Sequence, residues 1–207
     1  MVNIAVVRIA NIGNPVLFSA VSVNCAATIC KRIPMRKVIL GLAVSLDGFI
    51  EGPNGEYDWC FTDQDYGMSE FFKRIDSVFY GRKTYELVLS MESEAPPGFP
   101  KLKEYVFSNS FDSVRKGAVL VKGDIKSEVG KIKKKKGKDI WLFGGAELIS
   151  SLMNFQLVDE IILAVHPFIL GSGKALFSEI KERTWLTLTD HKIYPNGLAF
   201  LTYTVNN

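Results

Sequence analysis

The feature that most constrains this chain is an alternation of short apolar runs with helical patterns, sustained from Met35 to about residue 165. Apolar runs at 38–44, 78–80, 104–107, 118–121, 139–143 and 158–165 are bounded by glycine or polar residues, as buried strands are. Between them, Met68, Phe71, Phe72 and Ile75 stand at i, i+3, i+4 and i+7, which places them on one helical face. Ile125, Val129 and Ile132 follow a similar spacing behind Asp124, a residue type that accepts from the free N–H groups of a helix start. Leu148, Ile149, Leu152 and Met153 form a third such face. Buried strands separated by helices require crossover connections, so the sheet is expected to be mostly parallel. The end of the chain differs: TWLTLTDHKIY and LAFLTYTV are β-rich and joined through Pro195-Asn196-Gly197, a hairpin signal. The expected fold class is therefore α/β, a mostly parallel central sheet finished by an antiparallel hairpin.

With 207 residues, 47% of them hydrophobic and 23% charged, the chain suits one ordinary globular domain. Residues 1–34 stand apart. They carry no acidic residue, and Asn14, Pro15 and Asn24 interrupt their apolar character, which suits neither a membrane span nor a secretory signal. We read them as a start-site artefact or disordered leader before a domain at 35–207, with an organellar transit peptide as the alternative. Cys25, Cys30 and Cys60 give no disulfide framework, which suggests a reducing, cytoplasmic setting. No Cys/His spacing fits a metal site, and His166 and His191 are read as structural. A net charge of +3 does not call for nucleic acid.

Three segments are suited to phosphate. In IWLFGGAELISSLM an apolar run enters Gly144-Gly145 and then a helix, where free N–H groups and the missing Cβ atoms admit an anion. In SVFYGRKTYELVL, Gly81 precedes Arg82, Lys83 and Thr84, and two cations at a helix start are unfavourable unless an anion compensates them. In KEYVFSNSFD, the polar turn at Ser108, Asn109 and Ser110 follows a strand. Each also has an ordinary reading, as a tight turn or a solvated helix start.

In order and together with GLAVSLDGFIEGPNG and PFILGSGKALF, these segments resemble the dihydrofolate reductase family. More closely they resemble its branch related to the C-terminal reductase domain of the bifunctional riboflavin-biosynthesis deaminase/reductase, over about residues 35–205. The resemblance implies a three-layer dihydrofolate-reductase-like fold, NADPH as cofactor, and a homodimer. It assigns Gly81, Arg82, Lys83 and Thr84, helped by Ser108 and Asn109, to the adenosine 2′-phosphate. Gly144, Gly145, Ala146, Glu147 and Leu148 fall to the pyrophosphate, and Gly41, Ala43 and Ile50 to the nicotinamide.

The same resemblance frames the substrate. The pterin-binding carboxylate of dihydrofolate reductases falls on Met68, and its supporting threonine falls near Ala164, so efficient dihydrofolate reduction is not expected. Asp65, three residues before Met68, is a candidate substitute, and Asp47 a candidate for orienting substrate or loop. Asp58 and Trp59 suit a flat heterocycle, the carboxylate accepting from ring N–H groups while the indole stacks, although Trp59 can equally plug the core. The expected activity is reduction of a pterin-like or aminopyrimidine-like small molecule by NADPH, without nucleic acid or membrane partners. The rival readings are a fold that keeps NADPH without turnover, and a binding module using the lysine run KIKKKKGK at 131–138, otherwise a solvated helix end.

Overall fold

The computed structural model describes residues 35–91 and 99–206, so the leader at 1–34 lies outside the described residues. Its elements are β1 (Val38–Ser45), β2 (Phe49–Glu51), α1 (Met68–Arg74), β3 (Ile75–Gly81), α2 (Arg82–Ser90), β4 (Lys103–Phe107) and β5 (Val119–Val121). They continue with α3 (Ile125–Lys133), β6 (Asp139–Gly144), α4 (Ala146–Asn154), β7 (Glu160–His166), β8 (Lys174–Ala175), β9 (Trp185–Ile193) and β10 (Ala199–Asn206).

Eight strands form one sheet in the order β5-β4-β3-β6-β1-β7-β10-β9. The six strands from β5 to β7 run parallel, and β10 and β9 add antiparallel pairs at one end. Successive side chains on a strand point to opposite faces, so β1 serves two cores. Val38, Leu40 and Val44 join Val129 and Ile132 of α3 and Leu148, Ile149 and Leu152 of α4. Ile39 joins Phe71 of α1, Tyr85 of α2 and Trp141 of β6 on the other face. Helices on both faces make this a three-layer α/β fold, as the alternation requires.

Local chemistry sets the boundaries. Asp124 caps α3, its carboxylate accepting from the Ser127 N–H at 2.8 Å. The hairpin closes with Gly197 at φ 86°, a conformation that favours glycine, while the Tyr194 N–H donates to Leu198 O at 2.9 Å. Ile75 corrects the helical spacing: it is extended and opens β3, yet it is buried in the same apolar cluster as Phe71. The burial requirement is met by the strand instead of by another helical turn.

The lysine run is also less uniform than a solvated helix end. Lys133 is buried, and its ammonium lies 2.7 and 2.9 Å from the two oxygens of Asp159. Lys131 pairs with Glu128 at 2.6 Å, and Lys138 donates to Lys73 O at 2.8 Å. Among the described residues, no helix is long and apolar enough to cross a membrane.

Candidate functional site

A ligand crevice in an open parallel sheet arises where the connections from two neighbouring strands leave toward opposite faces. Here β3 and β6 are neighbours; α2 follows β3 onto one face and α4 follows β6 onto the other. The two turns approach closely. A Cβ on Gly81 would lie 3.2 Å from the Gly145 backbone nitrogen, and a Cβ on Gly145 would lie 3.0 Å from Thr84 Oγ1. Gly144 has φ 135°, which side-chain-bearing residues rarely adopt, and the Gly144-Gly145 peptide is cis.

Both helices therefore begin at one cleft of about 360 Å³. It is bordered by Gly81–Thr84, by Phe107–Ser110 at the end of β4, by Gly145–Leu148, and by Val121, Gly123, Ile125, Ser151 and Lys174. Neither helix has a side-chain N-cap. Their first-turn N–H groups have no intrahelical acceptors and carry the positive end of each helix dipole. The cleft thus offers two anion-attracting helix starts side by side.

Three cations and one carboxylate line the cleft, and each cation is tethered. Arg82 reaches both oxygens of Glu86 at 3.0 and 3.1 Å, Lys83 lies 3.5 Å from Glu147, and Lys174 lies 2.8 Å from Glu51. Arg82, Lys83 and Lys174 are all partly exposed, so these pairs are readily exchanged for a ligand phosphate. Ser108 Oγ accepts from the Phe111 N–H at 3.1 Å, and the Asn109 side-chain oxygen accepts from the Gly123 N–H at 3.0 Å. Those bonds shape the rim while Asn109 keeps its amide hydrogens for donation.

Gly41, Ala43 and Ile50 do not line this cleft. Gly41 admits Trp141, whose Nε1 donates to Gly41 O at 2.9 Å and would sit 3.1 Å from an added Cβ. Ala43 pairs in register with Ala164 on β7, a juxtaposition of two small side chains. Ile50 packs against the core beneath α3 and α4, one residue before Glu51, the partner of Lys174. Met68 opens α1 and packs against the aromatic cluster of Phe71 and Trp141.

Both candidate acids accept hydrogen bonds from nearby groups. Asp47 accepts from Ser45 Oγ at 2.7 Å and from the backbone N–H groups of Leu170 and Gly171 at 3.1 and 2.8 Å. The Ser45 bond leads in holding its carboxyl down at about 2, so Asp47 carries no proton at neutral pH and serves the loop. Asp65 accepts from the Ser69 hydroxyl and N–H at 2.8 and 3.0 Å and from the Gly67 N–H at 3.1 Å, and those Ser69 bonds likewise lower its pKa. These bonds fix the start of α1.

Trp59 packs on His166 and Phe168, with ring centroids 5.3 and 5.1 Å away, and its Nε1 is buried without a partner among the described residues. The indole as a whole is half-buried, in contact with these two rings. Asp58 is exposed beside it and contributes, after burial, to pushing the Cys60 thiol up to about 11. His166 is buried: its Nε2 accepts from the Phe61 N–H at 3.1 Å, which places the ring proton on Nδ1, 3.0 Å from Ala164 O. Burial lowers its pKa, and it remains a neutral structural link. His191 is exposed on β9. Among the described residues, no group of three His, Cys, Asp or Glu side chains is placed to hold a metal ion.

A family model described as the RibD C-terminal domain matches residues 36–200. The chain belongs to the RibD C-terminal domain family. A relative of this RibD-type chain, the uncharacterized protein YyaP of Bacillus subtilis (strain 168), is 42% identical over 181 residues, covering 83% of this chain and 96% of its own. A Shewanella sp. PV-4 protein assigned provisionally to riboflavin biosynthesis has a solved structure with TM-score 0.73 and 26% identity, covering 83% of this chain and 99% of that one. An Enterococcus faecalis dihydrofolate reductase complexed with NADP(H) shares the RibD-type fold, with TM-score 0.57, 20% identity, and coverage of 83% and 97%.

Lys174 was not among the residues the sequence pointed to. Its signal was a cation directly after Gly171-Ser172-Gly173, a turn whose position in space the local pattern does not give.

Proposed function

We propose that this RibD-type domain is an NADPH-dependent reductase of a flat nitrogen heterocycle, aminopyrimidine-like or pterin-like. The observation that carries the reading is the meeting of two uncapped helix starts in one glycine-walled cleft. A dinucleotide with an added 2′-phosphate presents two separate anionic groups, and this cleft has two separate places for them. Gly81–Thr84 with Ser108 and Asn109 suit the monophosphate: Arg82 is able to grip it bidentately and Asn109 to donate from its amide. The turn Gly144–Leu148 suits the diphosphate, which backbone N–H groups approach closely only where no Cβ intervenes.

NADPH supplies the hydride. The chain's own work is to hold and orient. Asp47 fixes the loop at Leu170 and Gly171, and Asp65 fixes α1. Ala43 and Ala164 keep one patch of the sheet free of long side chains, where a ring has room to lie. Met68 in place of a carboxylate disfavours a pterin that needs a buried acid, which favours the aminopyrimidine class.

Turnover tests this directly, by following NADPH consumption with an aminouracil riboside or with dihydrofolate. Consumption with the aminouracil and little with dihydrofolate is expected. Binding of NADPH with no consumption across flat nitrogen heterocycles would overturn the reductase reading.

A further inference from the structure

We infer that Lys174 is a diphosphate-binding residue of the cleft, held ready by Glu51; the inference rests on the dinucleotide reading above. Lys174 comes from β8, far in sequence from the two phosphate turns, yet it lines the same cleft. Three devices bring it there. A Cβ on Gly173 would lie 2.2 Å from Glu51 O, so only glycine lets this segment lie so close to β2. Asp47 grips the N–H groups of Leu170 and Gly171, and the Leu176 N–H donates to Gly48 O at 2.9 Å.

The segment after Lys174 then runs along α4. Asn154 Nδ2 donates to Glu179 O at 3.0 Å, the Lys181 N–H donates to Asn154 Oδ1 at 2.9 Å, and Ser150 Oγ bonds Ser178 O. Lys174 therefore enters from the side of α4, whereas Arg82 and Lys83 stand on α2. An ammonium at this place adds charge to the helix start assigned to the diphosphate and not to the 2′-phosphate side.

A purely structural role is the competing account, in which the 2.8 Å pair with Glu51 only ties β8 to β2. Two features speak against it. Those strands are already held by backbone pairing and the Asp47 clamp. The pair itself is partly exposed, and such pairs add little to a fold. An ammonium has three donors on a flexible stem, so it can turn from one carboxylate toward a diphosphate without losing a charged partner.

The experiment compares two probes, ADP-ribose, which has the diphosphate alone, and adenosine 2′-monophosphate, which has the 2′-phosphate alone. Lys174→Ala is expected to weaken ADP-ribose by about fivefold or more and to change 2′-monophosphate affinity by less than about twofold. Lys174→Arg should keep ADP-ribose affinity near wild type. Glu51→Gln should tighten ADP-ribose, because it frees the lysine without removing it. If Lys174→Ala and Glu51→Gln weaken ADP-ribose alike, the pair is only a strut and the inference is overturned. Unchanged ADP-ribose affinity in Lys174→Ala overturns it alone, whereas no binding of either probe by the wild type overturns the dinucleotide reading as well.

Discussion

Gly81→Ala and Gly144→Ala separate two reasons for glycine at the cleft. Gly81 has φ −75° and ψ 162°, which alanine adopts without strain. Restricting the unfolded chain then stabilises by about 0.4–1 kcal/mol. Against this, the new methyl meets the Gly145 nitrogen at 3.2 Å and Leu148 Cβ at 3.5 Å, where carbon contacts settle nearer 3.5–4.0 Å. Backbone must move by a few tenths of an ångström, an overpacking cost of about 1–3 kcal/mol. The difference is a net loss of about 1 kcal/mol.

Gly144 is the reverse case. Its added Cβ would meet nothing closer than 3.8 Å, but its φ of 135° is all but closed to side-chain-bearing residues, a cost near the top of the range of about 1–3 kcal/mol that the same unfolded-chain gain offsets only in part. Urea denaturation of both variants, with unchanged m-values, should place Gly144→Ala about 1 kcal/mol below Gly81→Ala. NADPH affinity should nevertheless fall at least about tenfold in Gly81→Ala, because the methyl pushes on the start of α4. Equal stability losses, or full cofactor affinity in Gly81→Ala, would refute the reasoning.

Lys133→Met strands the Asp159 carboxylate. Breaking a fully buried pair costs about 3–5 kcal/mol. Asp159 keeps some exposure and still accepts from the Val38 N–H at 2.7 Å, which leaves about 2 kcal/mol, or about 4–8 °C in Tm. A loss below about 0.5 kcal/mol would mean that water replaces the ammonium. His166 gives an acid dependence: its folded pKa lies below the ordinary 6.5, so as pH falls below that value the unfolded chain takes up a proton that the folded chain does not. Stability should drop there, and His166→Asn should flatten the slope; an unchanged slope assigns the loss elsewhere. Asp47 acts at lower pH, contributing stability above about 3.8 that disappears as pH falls toward 2, and Asp47→Asn should remove that step from the acid unfolding curve.

What the sequence shows, and what it hides, follows the range of the forces involved. Strands β1 and β3–β7, the cap at Asp124 and the turn at Gly197 are local, and period, capping chemistry and glycine mark them. The glycines at 81 and 144–145 were legible as strand-to-helix turns for the same reason, but their contact across two strands belongs to the topology. Strands β2 and β8 were not legible, since three and two residues carry no period. The roles of Asp47 and Trp59 depend on partners more than a hundred residues away, at Leu170, Gly171 and His166. A carboxylate after a strand looks the same in sequence whether it serves a substrate or a distant loop.

The most direct test of the central claim is a fluorescence titration of the purified chain with NADPH and with NADH, repeated with Arg82→Ala. The account predicts tighter NADPH binding, with a preference over NADH of about tenfold or more that Arg82→Ala largely removes, because a charge-assisted phosphate contact contributes about 1.5–3 kcal/mol. Equal affinity for both cofactors, a preference untouched by Arg82→Ala, or no binding of either would contradict it.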